Sequence, residues 1–238
     1  MLKMYQLRKK FTRMKNLIVQ IFMNKKGWEE EHRLDGQSNE VLILSNILVK
    51  NYAYKINADY KLLTKPKINF KHPTWERFQL FDDEWIHKYK NILYLDTDVF
   101  TWPNSPNIFD FIDDSAFNVV NHQMDKLWRG RKSFNAGVFC INKNCAIEMR
   151  KFLNKSSWIK SFETDPMWED SKELNTLAQI ADIKINWLEK SWNTKNDPNA
   201  YFTHLWGNQK IIFPDMPPII KARKIINELD ISSDFKKI

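Results

Sequence analysis

Residues Asn91 to Val99 read Asn-Ile-Leu-Tyr-Leu-Asp-Thr-Asp-Val, and no other stretch constrains the chain as tightly. Ile92 to Leu95 are consecutive apolar β-formers, enough for a buried strand and too few for a helix. The run stops abruptly at two carboxylates separated by one residue. Unpaired charge inside a buried strand is costly, so Asp96 and Asp98 belong where the strand leaves its sheet. In open α/β sheets that carboxyl edge is where ligands bind. Two hard oxygen ligands there suit Mg²⁺ or Mn²⁺ holding a phosphorylated substrate. The competing reading is a polar exit from a strand into a turn. Both carboxylates are expected to face a surface cleft, so replacing either with alanine should leave folding intact.

A length of 238 residues suits one α/β domain, and the expectation is a single domain over residues 1–238. With 43% apolar and 14% aromatic residues the chain can bury a sizeable core. Only 5 glycines and 9 prolines argue against a low-complexity chain. A formal charge of +8 points to an anionic partner, whether nucleotide, nucleic acid or acidic membrane surface. Cys140 and Cys145 fit neither a redox pair nor a zinc site, and read as free thiols of a reducing compartment.

Residues 1–15 form a basic segment, followed by the apolar run Asn16 to Met23. That run is too short to span a membrane and no small-residue cleavage site follows it, so it reads as the first strand of a cytoplasmic protein. Lys25 to Gln37 is turn-like. Ser38 is expected to cap a helix with Val41, Leu44, Ile47, Leu48 and Tyr52 along one face. Tyr60 to Leu63 reads as a strand, and Pro73 and Thr74 open a helix that runs into the Asp96 strand. Phe117 to Val120 and Ala136 to Ile141 are strands, and Ala146 to Leu153 and Glu169 to Ala181 are helices. Ile185 to Leu188 and Tyr201 to Leu205 are late strands, and residues 216–238 form a basic terminal helix and tail. Alternating strands and helices predict an α/β fold with a mixed, mainly parallel central sheet flanked by helices.

Three further segments carry polar groups suited to a site. Phe134-Asn135-Ala136-Gly137-Val138 enters a strand, where its glycine permits an unusual backbone angle and its asparagine can bond to the backbone. Glu169 to Thr176 opens a helix with acidic residues, which the helix dipole also favours on its own. His204-Leu205-Trp206-Gly207-Asn208-Gln209-Lys210 offers a metal ligand, a close backbone approach and a phosphate clamp. Each has a plain structural alternative: a turn, an acidic first turn and a satisfied buried histidine. Trp102, Trp128 and Trp206 lie close in sequence to these segments, and core packing explains them more simply than a sugar platform.

Taken in order, these segments resemble the family 8 retaining glycosyltransferases, glycogenin-like and lipopolysaccharide-galactosyltransferase-like, with a GT-A (Rossmann-like) fold. Tyr94 to Asp98 matches the strand that leads into Asp-x-Asp, and Phe134 to Val138 matches a Phe-Asn-small-Gly-Val strand. Asp170, Leu174 and Asn175 match a helix start in which Ser171 stands where glutamine is usual. Trp192-Asn193 matches an aromatic-Asn pair. His204, Gly207 and Lys210 reproduce His-x-x-Gly-x-x-Lys, although Ile211-Ile212 replaces the usual Pro-Trp. The agreement covers residues 75 to 212 and is only outlined before residue 75.

The resemblance implies a transferase that moves a sugar from a nucleotide-diphosphate sugar, a UDP-sugar, to a glycan, lipid-linked or protein acceptor with retained anomeric configuration. Asp96, Asp98 and His204 would hold the metal. Imidazole in the set favours Mn²⁺, with Mg²⁺ the alternative. Lys210 would meet the diphosphate as charge develops there, and Gly207 would line the same site. Arg77, Asn135 and Ala136 would contact the donor, and Asp170 would be a catalytic group facing sugar or acceptor. The basic termini suit peripheral attachment to an anionic membrane. A metal-dependent nucleotidyltransferase would use the same strand-end carboxylates. A basic nucleic-acid-binding module is the non-enzymatic alternative, but the lysines form no single stripe and no recognition motif accompanies them.

Overall fold

The computed structural model describes residues 14–22, 36–68, 73–121, 134–153, 169–195, 197–205 and 215–229. Its centre is a six-stranded sheet built from β1 (Leu17–Ile21), β2 (Asp59–Leu63), β3 (Asn91–Leu95), β5 (Phe117–Asn121), β6 (Phe134–Asn142) and β7 (Ile185–Leu188). The spatial order is β2-β1-β3-β6-β5-β7. Every strand runs in one direction except β6, which is antiparallel to both β3 and β5. Strands β1 and β3 are buried along their whole length, as expected of apolar runs covered on both faces.

Alternation along these strands sorts their side chains into two cores. Leu17, Val19, Ile92 and Tyr94 pack with α3 (Lys143–Leu153), α4 (Glu169–Ile180) and the aromatic segment Trp75 to Phe81. Ile18, Leu93 and Leu95 pack on the other face against Val49, Tyr52 and Ala53 of α1 (Gly36–Lys55). A third cluster joins α1 to α5 (Pro217–Glu228) through Val41, Leu44, Leu48, Ile219 and Ala222. The paired side chains of Arg223 and Glu40 close its edge with bonds of 2.7 and 2.9 Å.

The structure departs from the sequence expectations at three places. Helix α1 begins at Gly36, so Ser38 lies inside the helix and not at its cap, and the turn-like stretch ends earlier than Gln37. The helix expected from Pro73 is a 3₁₀ helix, Pro73–Phe81, followed by a single α-helical turn, α2 (Asp83–Ile86). Trp75, Phe78 and Phe81 are all buried at three-residue spacing. A 3₁₀ helix aligns residues three apart on one line, so this spacing buries all three rings on one face. Trp75 stacks on Phe78 with ring centroids 5.5 Å apart.

The third departure is a short strand that apolar periodicity does not announce. β4 (Val99–Thr101) pairs with β8 (Phe202–His204) in a separate antiparallel two-stranded sheet. The late strand expected over Tyr201 to Leu205 is therefore outside the central sheet. Asp96 to Asp98 is the junction between the two sheets. Cys140 and Cys145 are both buried free thiols. Among the described residues no helix is long and apolar enough to cross a membrane. Residues 1–13 of the basic segment and 230–238 of the tail lie outside the described residues.

Candidate metal centre at the junction of two sheets

Each aspartate of the junction extends a different antiparallel ladder. In the main sheet Leu95 faces Val138, and the next bond runs from the Asp96 N–H to the Gly137 carbonyl at 2.8 Å. In the small sheet Val99 faces His204, and the Leu205 N–H donates to the Asp98 carbonyl at 2.9 Å. A turn between them is closed by the Val99 N–H on the Asp96 carbonyl at 3.1 Å. From below, buried Gln20 donates to the Asp96 carbonyl at 3.1 Å and to Ser45 Oγ at 2.9 Å. Ser45 in turn donates to the Val99 carbonyl at 2.6 Å. The turn therefore rests on both sheets and on α1.

This backbone framework brings three ligand-type side chains together. His204 Nε2 is 3.2 Å from Asp98 Oδ1 and 3.6 Å from Asp96 Oδ2. One ligand atom from each of the three residues lies within 4.8 Å of the others. The cluster is sheltered: His204 is buried and the side chain of Asp98 is 9% exposed, against 25% for Asp96. Of the two carboxylates expected at a surface cleft, Asp96 is therefore the more exposed.

The histidine is oriented by its other nitrogen. Nδ1 lies 3.0 Å from Asn193 Oδ1, inside the protein. An amide oxygen only accepts, so Nδ1 donates in that bond and Nε2 is the nitrogen that faces the two carboxylates. A second partner that fixes a ring in this way is the usual support for a ligating histidine. Gly137 supplies the space. A β-carbon there would stand 2.1 Å from His204 Cε1, 2.7 Å from Asp96 Oδ2 and 2.9 Å from Asn135 Oδ1. The glycine is required by close approach of the backbone to the cluster.

No family model and no curated protein matches the sequence. Comparison with solved structures does find similarity. A glycosyltransferase involved in the glycosylation of the major capsid of PBCV-1 aligns over 90% of this chain and 100% of its own. The TM-score is 0.56 with 13% of residues identical. The chain has the GT-A glycosyltransferase fold. Lower scores come from the glycosyltransferase GlyE of Streptococcus pneumoniae TIGR4 and from Drosophila β1,4-galactosyltransferase 7. GlyE gives TM-score 0.49 and 13% identity over 91% of this chain and 64% of its own. A mutant of the Drosophila enzyme, solved with manganese, UDP-Gal and xylobiose, gives 0.49 and 11% identity over 83% of this chain and 74% of its own.

Within the GT-A fold, the other residues singled out from sequence fall into three groups. Arg77, Asn135 and Ala136 lie beside the cluster. Arg77 is buried and donates to Asp96 Oδ1 at 3.1 Å, to the Ala136 carbonyl at 2.9 Å and to the Thr74 carbonyl at 2.9 Å. Asn135 Oδ1 accepts the Gly137 N–H at 2.8 Å. The Ala136 N–H donates to Ser171 Oγ at 3.2 Å. Asp170 lies in the first turn of α4, and its side chain is outside the described set. That turn is tied to β6 by Asn175, which donates to the Phe134 carbonyl at 3.3 Å and to the Ser171 carbonyl at 2.6 Å. Gly207 and Lys210 lie outside the described residues, as do Trp128 and Trp206. Trp102 is core, donating its indole N–H to Thr203 at 3.0 Å.

Four contributors escaped the sequence reading of the site. Tyr94 donates its hydroxyl to Asp96 Oδ1 at 2.6 Å. The strand period was a sufficient signal, since residues two apart share a face. Gly137 was visible as a permissive glycine but not as a residue in contact with the cluster. Asn193 was visible as part of a motif without a partner. Lys195 carried no signal at all; burial holds its ammonium below its ordinary range, and the negative charge of Asp98 acts against that.

Proposed function

We propose that the chain is a metal-dependent glycosyltransferase that moves a sugar from a UDP-sugar to a glycan, lipid-linked or protein acceptor. The reading includes retention of anomeric configuration, as the family 8 resemblance implies. One observation carries it: Asp96, Asp98 and an oriented His204 Nε2 converge at the carboxyl end of a central strand in a glycosyltransferase fold. The donor set fits a divalent cation, with two carboxylates to neutralise it and one imidazole nitrogen facing them. Imidazole beside carboxylate favours Mn²⁺, because Mg²⁺ prefers an all-oxygen shell.

When bound, the cation supplies positive charge against the diphosphate that leaves the anomeric carbon. Asp96, Asp98 and His204 hold it. Lys210 and Lys195 add cationic side chains for the same departing charge, where binding is worth most in the transition state. Gly207 completes the diphosphate side, and the segment Asn135-Ala136 lines the donor sugar. Asp170, at the head of a helix tied to that segment, faces sugar or acceptor. In a front-face retaining reaction the departing phosphate takes the acceptor proton, so no side-chain base is required. The basic termini bring the enzyme to anionic membranes that carry lipid-linked acceptors.

The test is a screen of nucleotide sugars with and without Mn²⁺, reading release of nucleoside diphosphate. Mn²⁺-dependent release of UDP from one donor is the expected result. Release of pyrophosphate in its place would identify a nucleotidyltransferase. Proton NMR of the first glycoside formed then reads its anomeric configuration. A β-linkage from an α-donor would overturn retention and promote Asp170 or Glu169 to general base.

A further inference from the structure

The carboxylate of Asp96 is held asymmetrically. Its Oδ1 accepts two hydrogen bonds, from the Tyr94 hydroxyl at 2.6 Å and from Arg77 Nη2 at 3.1 Å. Its Oδ2 faces His204 Nε2. Both donors are anchored. The Tyr94 ring stacks on Phe139 at 5.0 Å and 21°, and the Arg77 guanidinium sits 4.8 Å from the centre of the Tyr94 ring. Arg77 is also tied to the carbonyls of Thr74 and Ala136. Rotating the carboxylate would break a charge-assisted bond and a short O–H···O bond together, so Oδ1 is withheld and Oδ2 is offered.

Resting on the metal-site reading above, we propose that Arg77 and Tyr94 are positioning residues that restrict Asp96 to one-oxygen ligation and thereby select Mn²⁺ over Ca²⁺. Ca²⁺ takes about 6–8 oxygen ligands and commonly uses both oxygens of a carboxylate. With one oxygen of Asp96 withheld and an imidazole in the set, the site offers fewer oxygens and serves a smaller cation with nitrogen affinity. Arg77 thus acts through Asp96, a role separate from the donor contact expected from sequence. Its buried charge also balances part of the negative charge of the pair of aspartates.

The test reads cation binding to the full chain with no sugar nucleotide present. Free Mn²⁺ is titrated by electron paramagnetic resonance, and Ca²⁺ is then added as competitor. Tyr94→Phe keeps the ring stack and deletes one donor to Oδ1. Its Mn²⁺-to-Ca²⁺ affinity ratio should fall about 10-fold, with the thermal midpoint close to that of the native chain. Arg77→Lys should retain more of the ratio than Arg77→Met. An unchanged ratio in folded Tyr94→Phe, with Mn²⁺ still bound by the native chain, would overturn the selectivity device and leave the metal site standing. Failure of the native chain to bind Mn²⁺ would overturn both.

Discussion

The two halves of the cluster are built by different means. Asp96 belongs to the main sheet and is locked by side chains: a buried arginine, a stacked tyrosine and the bare Gly137 opposite. Asp98 and His204 belong to the small sheet and are placed chiefly by backbone pairing, with Asn193 orienting the ring. The small sheet leans on α1 and α5 through Phe100, Trp102 and Leu205. The difference is that side chains hold one half of the cluster, while backbone pairing carries the other.

The largest effect should come from Gly137, whose α-carbon lies against both halves. Gly137→Ala would put a methyl group against His204 and Asp96 together. Turnover should fall about 100-fold or more, since a displacement near 1 Å at a reacting site has that cost. Full activity would mean that the halves are farther apart than described.

The next effect separates the halves by stability. Asp96→Ala strands the buried guanidinium of Arg77 without its carboxylate, and should cost about 3 kcal/mol. The variant is still expected to fold, at reduced stability, because the buried guanidinium of Arg77 lies beside Asp96. Asp98→Ala should abolish Mn²⁺-dependent turnover with a much smaller change in denaturant midpoint. Equal midpoints for the two variants would erase the distinction between the halves.

A smaller effect belongs to the small-sheet side alone. Asn193→Ala leaves His204 in the ladder but frees its ring, and Mn²⁺ affinity should fall about 10-fold. Calorimetric titration of the metal checks this without any substrate. An unaltered affinity would show that the ladder alone orients the ring.

The smallest effect is at the edge of α1 and α5. The hydrogen bond and charge of Arg223 hold the Glu40 carboxyl below its usual value of 4.5. A depressed carboxylate stabilises the fold above its unfolded value, and that contribution fades as pH falls through the folded one. Glu40→Gln should therefore lose under about 1 kcal/mol near neutrality, as suits a partly exposed pair. The difference from the native chain should vanish under strongly acidic conditions, as followed by thermal melts across pH.

The residues that carry local signals were legible without a structure. The apolar run Ile92 to Leu95 ending in two carboxylates determined a buried strand with its acids at the edge, because strand burial excludes unpaired charge. The alternation of strands and helices determined the α/β class. The rows Val41, Leu44, Leu48 and Tyr52 determined the buried face of α1. Tertiary structure decided what lies opposite those acids. Reversal of β6 sets Gly137 beside Asp96, and pairing of β4 with β8 sets His204 beside Asp98. No local pattern specifies either partner, since ladder direction and register depend on which distant strands bury each other's faces. The same holds for Arg77, which lies in a 3₁₀ helix buried from Trp75 to Phe81. Charge and motif named the candidate ligands; packing chose which oxygen of Asp96 faces His204.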